Sequence, residues 1–256
     1  MTGAGVRGIF DFSIVAESED WLVVNKPAPL QIHPSKPSDA GWTLWDGLRE
    51  LLCYEIANGG QVSIVNRLDR ETSGLVLVAK HAAAARTFGK AMMRRQMRKT
   101  YLAIVHGWPE WDEHHVCAPI LRQGDVTASA IWVKQCVHPA GAPCETSFRV
   151  LRRLVHRSSG ESLTLMEAKP HTGRMHQIRV HAAHLGYPII GDKIYTRSES
   201  CYLEFIETGW TETLAQRLLL PRQALHSLCL EVATAELCLR WEAPLTQDLQ
   251  CFLEGE

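Results

Sequence analysis

VSIVNRLDRETSGLVLVA, residues 62–79, holds a polar loop between two apolar runs. The runs Val62–Val65 and Leu75–Ala79 are rich in β-branched and aliphatic residues, which predicts two short buried strands. Charged groups at a crossing between such strands are unusual unless they pair or take part in chemistry. The loop carries one aspartate, Asp69, between two arginines, and hydroxyl side chains and a glycine follow it. The loop is therefore either a solvated turn with a local ion pair or a reactive site.

Strands and helices interleave irregularly on both sides of this segment. Apolar runs and alternation predict a hairpin of residues 12–16 and 21–25, and further strands at 100–106, 145–151, 163–168, 224–232 and 236–241. Helical spacing predicts helices at 43–57, 82–98, 175–185 and 245–253, whereas 27–40 reads as a loop and 191–222 as irregular. Because the regular β–α alternation of a Rossmann sheet is absent, the pattern favours an α+β fold with a mixed sheet.

The composition is that of an ordinary globular protein. The chain has 256 residues, near the upper end for one domain, and 46% of them are hydrophobic. A formal net charge of −1 gives no global attraction to nucleic acid, so RNA contact would need local basic patches. No apolar run approaches the roughly 20 residues that cross a bilayer, so no membrane partner is predicted.

The cysteines and histidines allow several interpretations. Eight cysteines without a C-x-x-C pair form either a disulfide framework or reduced thiols. The chain is large enough to bury a core without disulfides and shows no signal peptide, which favours reduced thiols and a cytoplasmic location. A metal site is weighed for one set of histidines, but their spacing is poor for zinc: His171, His176, His181 and His184. No metal and no cofactor are predicted.

Five segments, in order, resemble RluA-type RNA pseudouridine synthases. They are VNKP at 24–27 with His33-Pro34, RLDRETSGL at 67–75, KTYLAIVHG at 99–107, TGRMHQIRVH at 172–181 with GYPIIGD at 186–192, and LHS at 225–227. The resemblance spans about residues 12–245, and five segments in order are far more specific than any single motif. The chain departs from the family at Asn66, where histidine is usual. It resembles the short members, with a flexible tail at residues 1–10 and a single catalytic domain at 11–256.

The resemblance implies a fold and a set of roles. The fold would be a mixed, mostly antiparallel sheet with flanking helices and a central active-site cleft. Asp69 would detach and reattach the uracil as nucleophile or base, and Arg179 beside it would keep it ionised. Tyr101 would stack on the uracil near carbon 5, although residue pattern alone also allows an ordinary strand tyrosine. Arg67 would fill the gap that the flipped base leaves. The substrate pocket would also include Leu225, His176 and Thr72.

A run of basic residues lies between Ala82 and Thr100, mostly on the predicted helix 82–98. It contains no acid and comprises Arg86, Lys90, Arg94, Arg95, Arg98 and Lys99. The run is either a solvated helix face or a phosphate-binding surface, and the missing counter-charges favour the second. Contacts with the RNA backbone are predicted for Arg94, Arg95, Arg98 and Lys99.

Three classes of function remain at this point. The first is an isomerase that acts on uridines of structured RNA, tRNA or rRNA, as a monomer without an obligate protein partner. The second is a non-catalytic RNA-binding relative, against which the presence of Asp69, Tyr101 and Arg179 argues. The third is an unrelated hydrolase with an aspartate nucleophile. It would need a second acid to activate water, and none stands at motif spacing.

Overall fold

A computed structural model describes residues 12–196 and 199–255. Its strands are β1 Ser13–Glu17, β2 Trp21–Lys26, β3 Ser63–Ile64, β4 Ser73–Ala79, β5 Met97–His106, β6 Glu113–Cys117, β7 Ile120–Arg122, β8 Gln135–Val137, β9 Glu145–Val155, β10 Ser162–Pro170, β11 Leu225–Ala233 and β12 Cys238–Glu242. Its α-helices are α1 Leu44–Leu51, α2 Cys53–Ala57, α3 Ala82–Met93, α4 Gln177–His184, α5 Ser200–Thr208, α6 Glu212–Leu218 and α7 Gln247–Glu254. The predicted tail at residues 1–10 lies outside the described residues.

The chain divides into two compact units. The first comprises Met1–Met97 and Ser227–Pro244, and the second comprises Arg98–His226 and Leu245–Glu256. A single catalytic domain over residues 11–256 stays a prediction.

The first unit is built on a sheet in which β1, β2, β4 and β11 follow one another. β3 pairs with β4, and β12 pairs with β11. Every residue of β4 is buried, which explains why this strand reads as a continuous apolar run. Helix α3 packs against the sheet, because its Phe88 and Ala91 share one core cluster with Leu75 and Leu77 of β4. The predicted hairpin is confirmed as the antiparallel pair β1–β2.

The second unit contains antiparallel strands in the order β5, β10, β9 and β6, with β7 and β8 as a separate pair. Helix α4 contributes Val180 to a core cluster that includes Ile120, Cys144 and Ile194. The antiparallel registers and the irregular mixture of helices and strands confirm the α+β fold with a mostly antiparallel sheet. The central cleft stays a prediction.

The predicted helix 82–98 is too long. Helix α3 ends at Met93, Arg95 adopts a left-handed φ of 56°, and β5 already begins at Met97. The backbone explains the early end, since the carbonyl of Gln96 accepts a hydrogen bond from the amide of Ala233 at 3.0 Å. Gln96 is thus bonded to the end of β11 and Met97 begins β5, which helical periodicity in the sequence could not indicate.

The irregular stretch predicted at 191–222 is also wrong, since α5 and α6 lie within it. The hydroxyl of Thr211 accepts a hydrogen bond from the amide of Leu214 at 3.3 Å and so caps α6. Leu214 and Leu218 then pack on Cys201 of α5. Each helix is short and buries its apolar face partly against the other, so neither carries a strong signal alone. The predicted helix 43–57 is similarly divided into α1 and α2 at Leu52.

Candidate active site

Asn66 anchors the beginning of the Asp69 loop. Its side chain is buried at 3% exposure, and its amide donates to the carbonyl of Leu75 at 3.0 Å. The amide of Leu77 in turn donates to its Oδ1 at 2.8 Å. These bonds satisfy two backbone groups of β4. The residue that departs from the family pattern therefore has a structural role in holding the loop against β4.

Gly74 anchors the other end of the loop. Its φ is +110°, and a Cβ built there would lie 2.3 Å from the carbonyl oxygen of Ser227. Only glycine permits this approach between the loop and the LHS segment. Thr72 and Ser73 before it are buried, whereas Asp69 is half-buried and Arg67 is exposed. The loop thus holds Asp69 between two fixed ends while leaving it partly open to solvent.

Lys26 holds the Asp69 loop through a hydrogen bond to the Arg70 carbonyl, and sequence reasoning did not assign this lysine to the site. It is fully buried, and its Nζ donates to the carbonyls of Pro27, Leu30 and Arg70 at 2.8, 2.8 and 3.1 Å. The amide of Leu30 also donates to the Arg70 carbonyl at 2.9 Å. A buried ammonium survives only with such partners. The sequence feature that could have indicated this role is the position of Lys26 in VNKP, between an apolar strand and a proline.

Arg179 forms a buried ion pair with Asp192 in the second unit. Nε of Arg179 donates to Oδ2 at 2.7 Å and Nη2 donates to Oδ1 at 2.9 Å. Burial disfavours the charge on Asp192, but Arg179 and the amides of Ile194 and Tyr195 outweigh it and hold the pKa of Asp192 below its usual range. Sequence reasoning did not assign Asp192 a role, although the residue ends the GYPIIGD segment. The predicted pairing of Arg179 with Asp69 joins residues of different units and stays a prediction.

His176 is held by backbone conformation and by tyrosine. It has a left-handed φ of 56° immediately before α4, and its Nδ1 lies 2.7 Å from the hydroxyl of Tyr195. The ring of Tyr195 also lies below Arg179, whose Cζ is 5.0 Å from the ring centroid. Tyr195 thus connects His176 to the buried ion pair and is a third residue, after Lys26 and Asp192, that sequence reasoning missed.

Gln177 fixes the loop that precedes α4. Its Oε1 accepts from the Thr172 hydroxyl at 2.9 Å and from the Arg174 amide at 3.0 Å. Its Nε2 donates to the Glu145 carbonyl at 2.7 Å and to the Thr146 hydroxyl at 2.9 Å. All four polar capacities of the amide are therefore engaged, which makes the 172–177 loop a rigid part of the second unit.

Tyr101 and Lys99 project to the same face of β5, because alternate residues of a strand share a face. Tyr101 is buried, opposite Ala168 of β10, whereas Lys99 is half-buried. Lys99 Nζ lies 3.8 Å from the position that a Cβ on Gly173 would occupy. Burial lowers the pKa of Lys99. Lys99 therefore lies beside the 172–177 loop, and its contact with the RNA backbone stays a prediction.

The other predicted RNA-binding residues are exposed. Arg94 and Arg95 follow the end of α3, and Arg98 lies on β5. The structure thus places Arg94 and Arg95 on a turn and Arg98 on a strand, instead of all three on a single helix face. The contact of these arginines with RNA stays a prediction.

Leu225, predicted for the pocket wall, is buried at the start of β11.

One group of candidate metal ligands lies beside His171, whose ring centroid is 5.5 Å from that of His115. Within the described residues, ligand atoms of His115, Cys117 and Glu145 lie within 4.8 Å of one another, at the β6–β9 edge. His181 is instead buried, with its ring nitrogens near the Thr146 hydroxyl at 2.8 Å and the Ala118 carbonyl at 2.9 Å. All eight cysteines are free thiols. None of the helices in the described part of the chain is both long and apolar enough to cross a membrane.

The chain is similar to one protein family, to named bacterial relatives and to a solved structure. The model of the family described as RNA pseudouridylate synthase matches residues 20–184. Ribosomal large subunit pseudouridine synthase D of Pseudomonas aeruginosa is 36% identical over 93% of this chain and 69% of its own length. The protein of the same name from Escherichia coli K12 is 31% identical over 94% of this chain and 69% of its own length. A solved structure, human RNA pseudouridylate synthase domain containing 1, is 25% identical, with a TM-score of 0.67 over 99% of this chain and 96% of that one.

The chain therefore belongs to the RNA pseudouridylate synthase family, the isomerases that convert uridine in RNA to pseudouridine. Within that family it is of the RluA type, as the five segments indicated. It spans about two thirds of the length of these two bacterial relatives.

Proposed function

We propose that this isomerase acts on uridines of large-subunit ribosomal RNA and that Asp69 is its catalytic carboxylate. The bacterial relatives bear the name of ribosomal large subunit enzymes, which favours rRNA over tRNA as the substrate. The observation that carries the role of Asp69 is its position, half-buried in a loop whose two ends are anchored on β4 and at Ser227. Such a loop can present one carboxylate repeatedly in the same geometry.

The reaction requires the bond between the sugar and N1 of uracil to break and a new bond to form through carbon 5. Asp69 would act on the sugar or the base as nucleophile or base, after the uridine has left its stack. Carbon 5 finally loses its proton, while N1 gains one, so no oxidant or reductant is needed. Tyr101 would lie against the base, and Arg179 would favour the ionised form of Asp69.

The exposed Arg67 would occupy the space that the flipped uridine leaves, since a guanidinium plane stacks on neighbouring bases. Leu225, Thr72 and His176 would complete the pocket. Lys99, which is half-buried, is proposed to meet an RNA phosphate, whose negative charge would oppose the lowering of the Lys99 pKa by burial.

Tritium release from RNA labelled at carbon 5 of uracil tests the proposal. The wild-type protein is expected to release tritium from a transcript of large-subunit rRNA and not from transcripts of tRNA. Asp69→Asn keeps the size of the side chain, so the variant should fold and bind RNA while releasing no tritium. Asp112→Asn, at an exposed carboxylate, is the matched control and should remain active.

Three results would contradict parts of the proposal. Activity of Asp69→Asn within tenfold of wild type would exclude Asp69 as the catalytic carboxylate. Release from tRNA alone would overturn the choice of substrate. Strand cleavage without tritium release would indicate the hydrolase, and RNA binding without either reaction would indicate a non-catalytic relative.

A further inference from the structure

A row of two aromatic rings between two guanidinium groups begins at the Asp69 loop within the first unit. The row comprises Arg67, His33, Trp45 and Arg49. The ring centroids of His33 and Trp45 lie 6.3 Å apart, and Cζ of Arg49 lies 4.7 Å from the centroid of the Trp45 ring. Desolvation lowers the pKa of His33 and the charge of Arg67 lowers it further, so Arg67 lies within electrostatic reach of the imidazole. We call this set the aromatic row.

The backbone fixes the two aromatic rings relative to one another. The amide of Leu44 donates to the Gln31 carbonyl at 2.8 Å, and the amide of Trp45 donates to the Ile32 carbonyl at 3.0 Å. The first turn of α1 is thus hydrogen-bonded to the residues immediately before His33. The side chain of Thr43 caps the same turn. The row is therefore preorganised, which lowers the entropic cost of binding a ligand.

The row is open to solvent along most of its length. His33, Arg49 and Arg67 are exposed, and Trp45 is half-buried. The neighbouring Trp42 is 66% exposed, which is unusual for a side chain that gains so much from burial. Large aromatic faces that are fixed and accessible are typical of binding surfaces.

The charges of the row favour a base over a phosphate as the ligand of its centre. Desolvation and then the charge of Arg67 lower the pKa of His33, against the opposing effect of Asp46, and this direction favours the neutral imidazole. Asp46 itself accepts hydrogen bonds from the amide and hydroxyl of Thr43, at 3.1 and 2.6 Å. The centre thus presents an imidazole ring and an indole ring between two guanidinium groups.

We propose that the aromatic row binds unpaired nucleotides of the substrate RNA by stacking, beside the uridine that the Asp69 loop processes. Unpaired bases stack on aromatic rings and on guanidinium planes, and this row contains both. Arg67 stands two positions before Asp69, so the row begins at the proposed catalytic loop. The inference rests on the proposed function in one respect, that the RNA reaches Asp69.

Binding of two model strands separates base stacking from phosphate contact. The probes are a twelve-nucleotide oligouridine and a ribose-phosphate chain of the same length without bases. Wild-type protein should bind oligouridine more tightly than the baseless chain. Trp45→Ala should weaken the binding of oligouridine by about 10- to 100-fold. Trp45→Phe should retain most of the affinity, because its ring still stacks. Tyr54→Ala, at an exposed aromatic on α2, is the control and should bind like wild type.

Salt dependence gives a second readout. Trp45→Ala should leave the slope of log affinity against log salt unchanged, because an indole neutralises no phosphate. Arg49→Ala should lower the slope by about 0.7 if its guanidinium also meets a phosphate. His33→Ala tests the row at an exposed position, where unfolding is not expected. Equal binding of both probes by wild type, or unchanged oligouridine affinity in Trp45→Ala and His33→Ala, would overturn the inference.

Tritium release distinguishes this inference from the proposed function. If wild type releases tritium, and if Trp45→Ala and His33→Ala both match its kcat/KM, the proposed function is supported and RNA binding by the aromatic row is contradicted. If wild type releases no tritium, while Trp45→Ala and His33→Ala still bind oligouridine more weakly than wild type, the proposed function is contradicted and base stacking on the aromatic row is supported.

Discussion

Replacing Arg179 with alanine is expected to reduce the free energy of unfolding by about 3–5 kcal/mol at pH 7, the cost of breaking a buried ion pair from one side. Asp192 has 0% exposure and makes two hydrogen bonds of 2.7 and 2.9 Å with Arg179. In the variant, the amides of Ile194 and Tyr195 would still donate to this carboxylate, but no guanidinium would balance its charge. Urea unfolding of both proteins measures the difference.

The destabilisation should depend on pH in a defined direction. In wild type, the lowered pKa of Asp192 contributes stability that is present above the unfolded value of about 3.9 and is lost as the pH falls through the folded value. In Arg179→Ala, burial without the guanidinium raises that pKa above the unfolded value. The loss in free energy of unfolding relative to wild type is then largest at neutral pH. It should shrink on acidification, because Asp192 becomes neutral.

Two further variants test the cause. Arg179→Lys should recover only part of the stability, because an ammonium cannot make the planar two-point contact. Arg179→Ala combined with Asp192→Asn should be more stable than Arg179→Ala alone, since no buried charge is left without a partner. A deficit of Arg179→Ala that is absent at pH 7, or equal at pH 7 and pH 5, would refute the reasoning.

The same variants separate structure from catalysis. If Arg179 also keeps Asp69 ionised, its removal should raise the pKa of Asp69, and activity should fall at higher pH than in wild type on acidification. Asp192→Asn keeps the Arg179 charge and is the matched control. The measurement is the acid limb of the single-turnover rate. Limbs that superimpose in wild type, Arg179→Ala and Arg179→Lys would show that Arg179 does not set the charge of Asp69.

Three further outcomes are expected. Asn66→Ala should lower the free energy of unfolding by about 1–3 kcal/mol for each of the two β4 backbone groups that it leaves without a partner, and equal urea midpoints would contradict this. Replacing Arg94, Arg95 and Arg98 with alanine should lower the salt slope of RNA binding by about 0.7–0.9 for each phosphate that these side chains neutralise, whereas an unchanged slope would make them solvated residues. Activity should survive EDTA, and an inactivation that zinc reverses without altering RNA folding would point to a required metal.

Local patterns in the sequence were sufficient for much of the first unit. Two apolar, β-branched runs around an acidic turn predicted the β1–β2 hairpin, and the apolar runs on either side of the polar loop predicted β3 and β4. These features depend on residues close together in the chain, where periodicity and turn chemistry determine the outcome. The choice of Asp69 as a candidate came from the same kind of local information, and the family resemblance sharpened it.

Partners distant in the chain could not be predicted in this way. The end of α3 depends on a bond from Ala233 to Gln96, and α5 and α6 depend partly on each other. In both cases tertiary packing overrides or supplies what a short window of sequence lacks.

The sequence by itself thus determined the fold class, the family and the loop that carries Asp69. Only the tertiary structure decided that Asn66 holds that loop to β4, that Lys26 lies buried beneath it, and that Arg179 pairs with Asp192. The physical reason is that a buried polar group must find its partner wherever packing brings one, and the sequence records the group but not the partner.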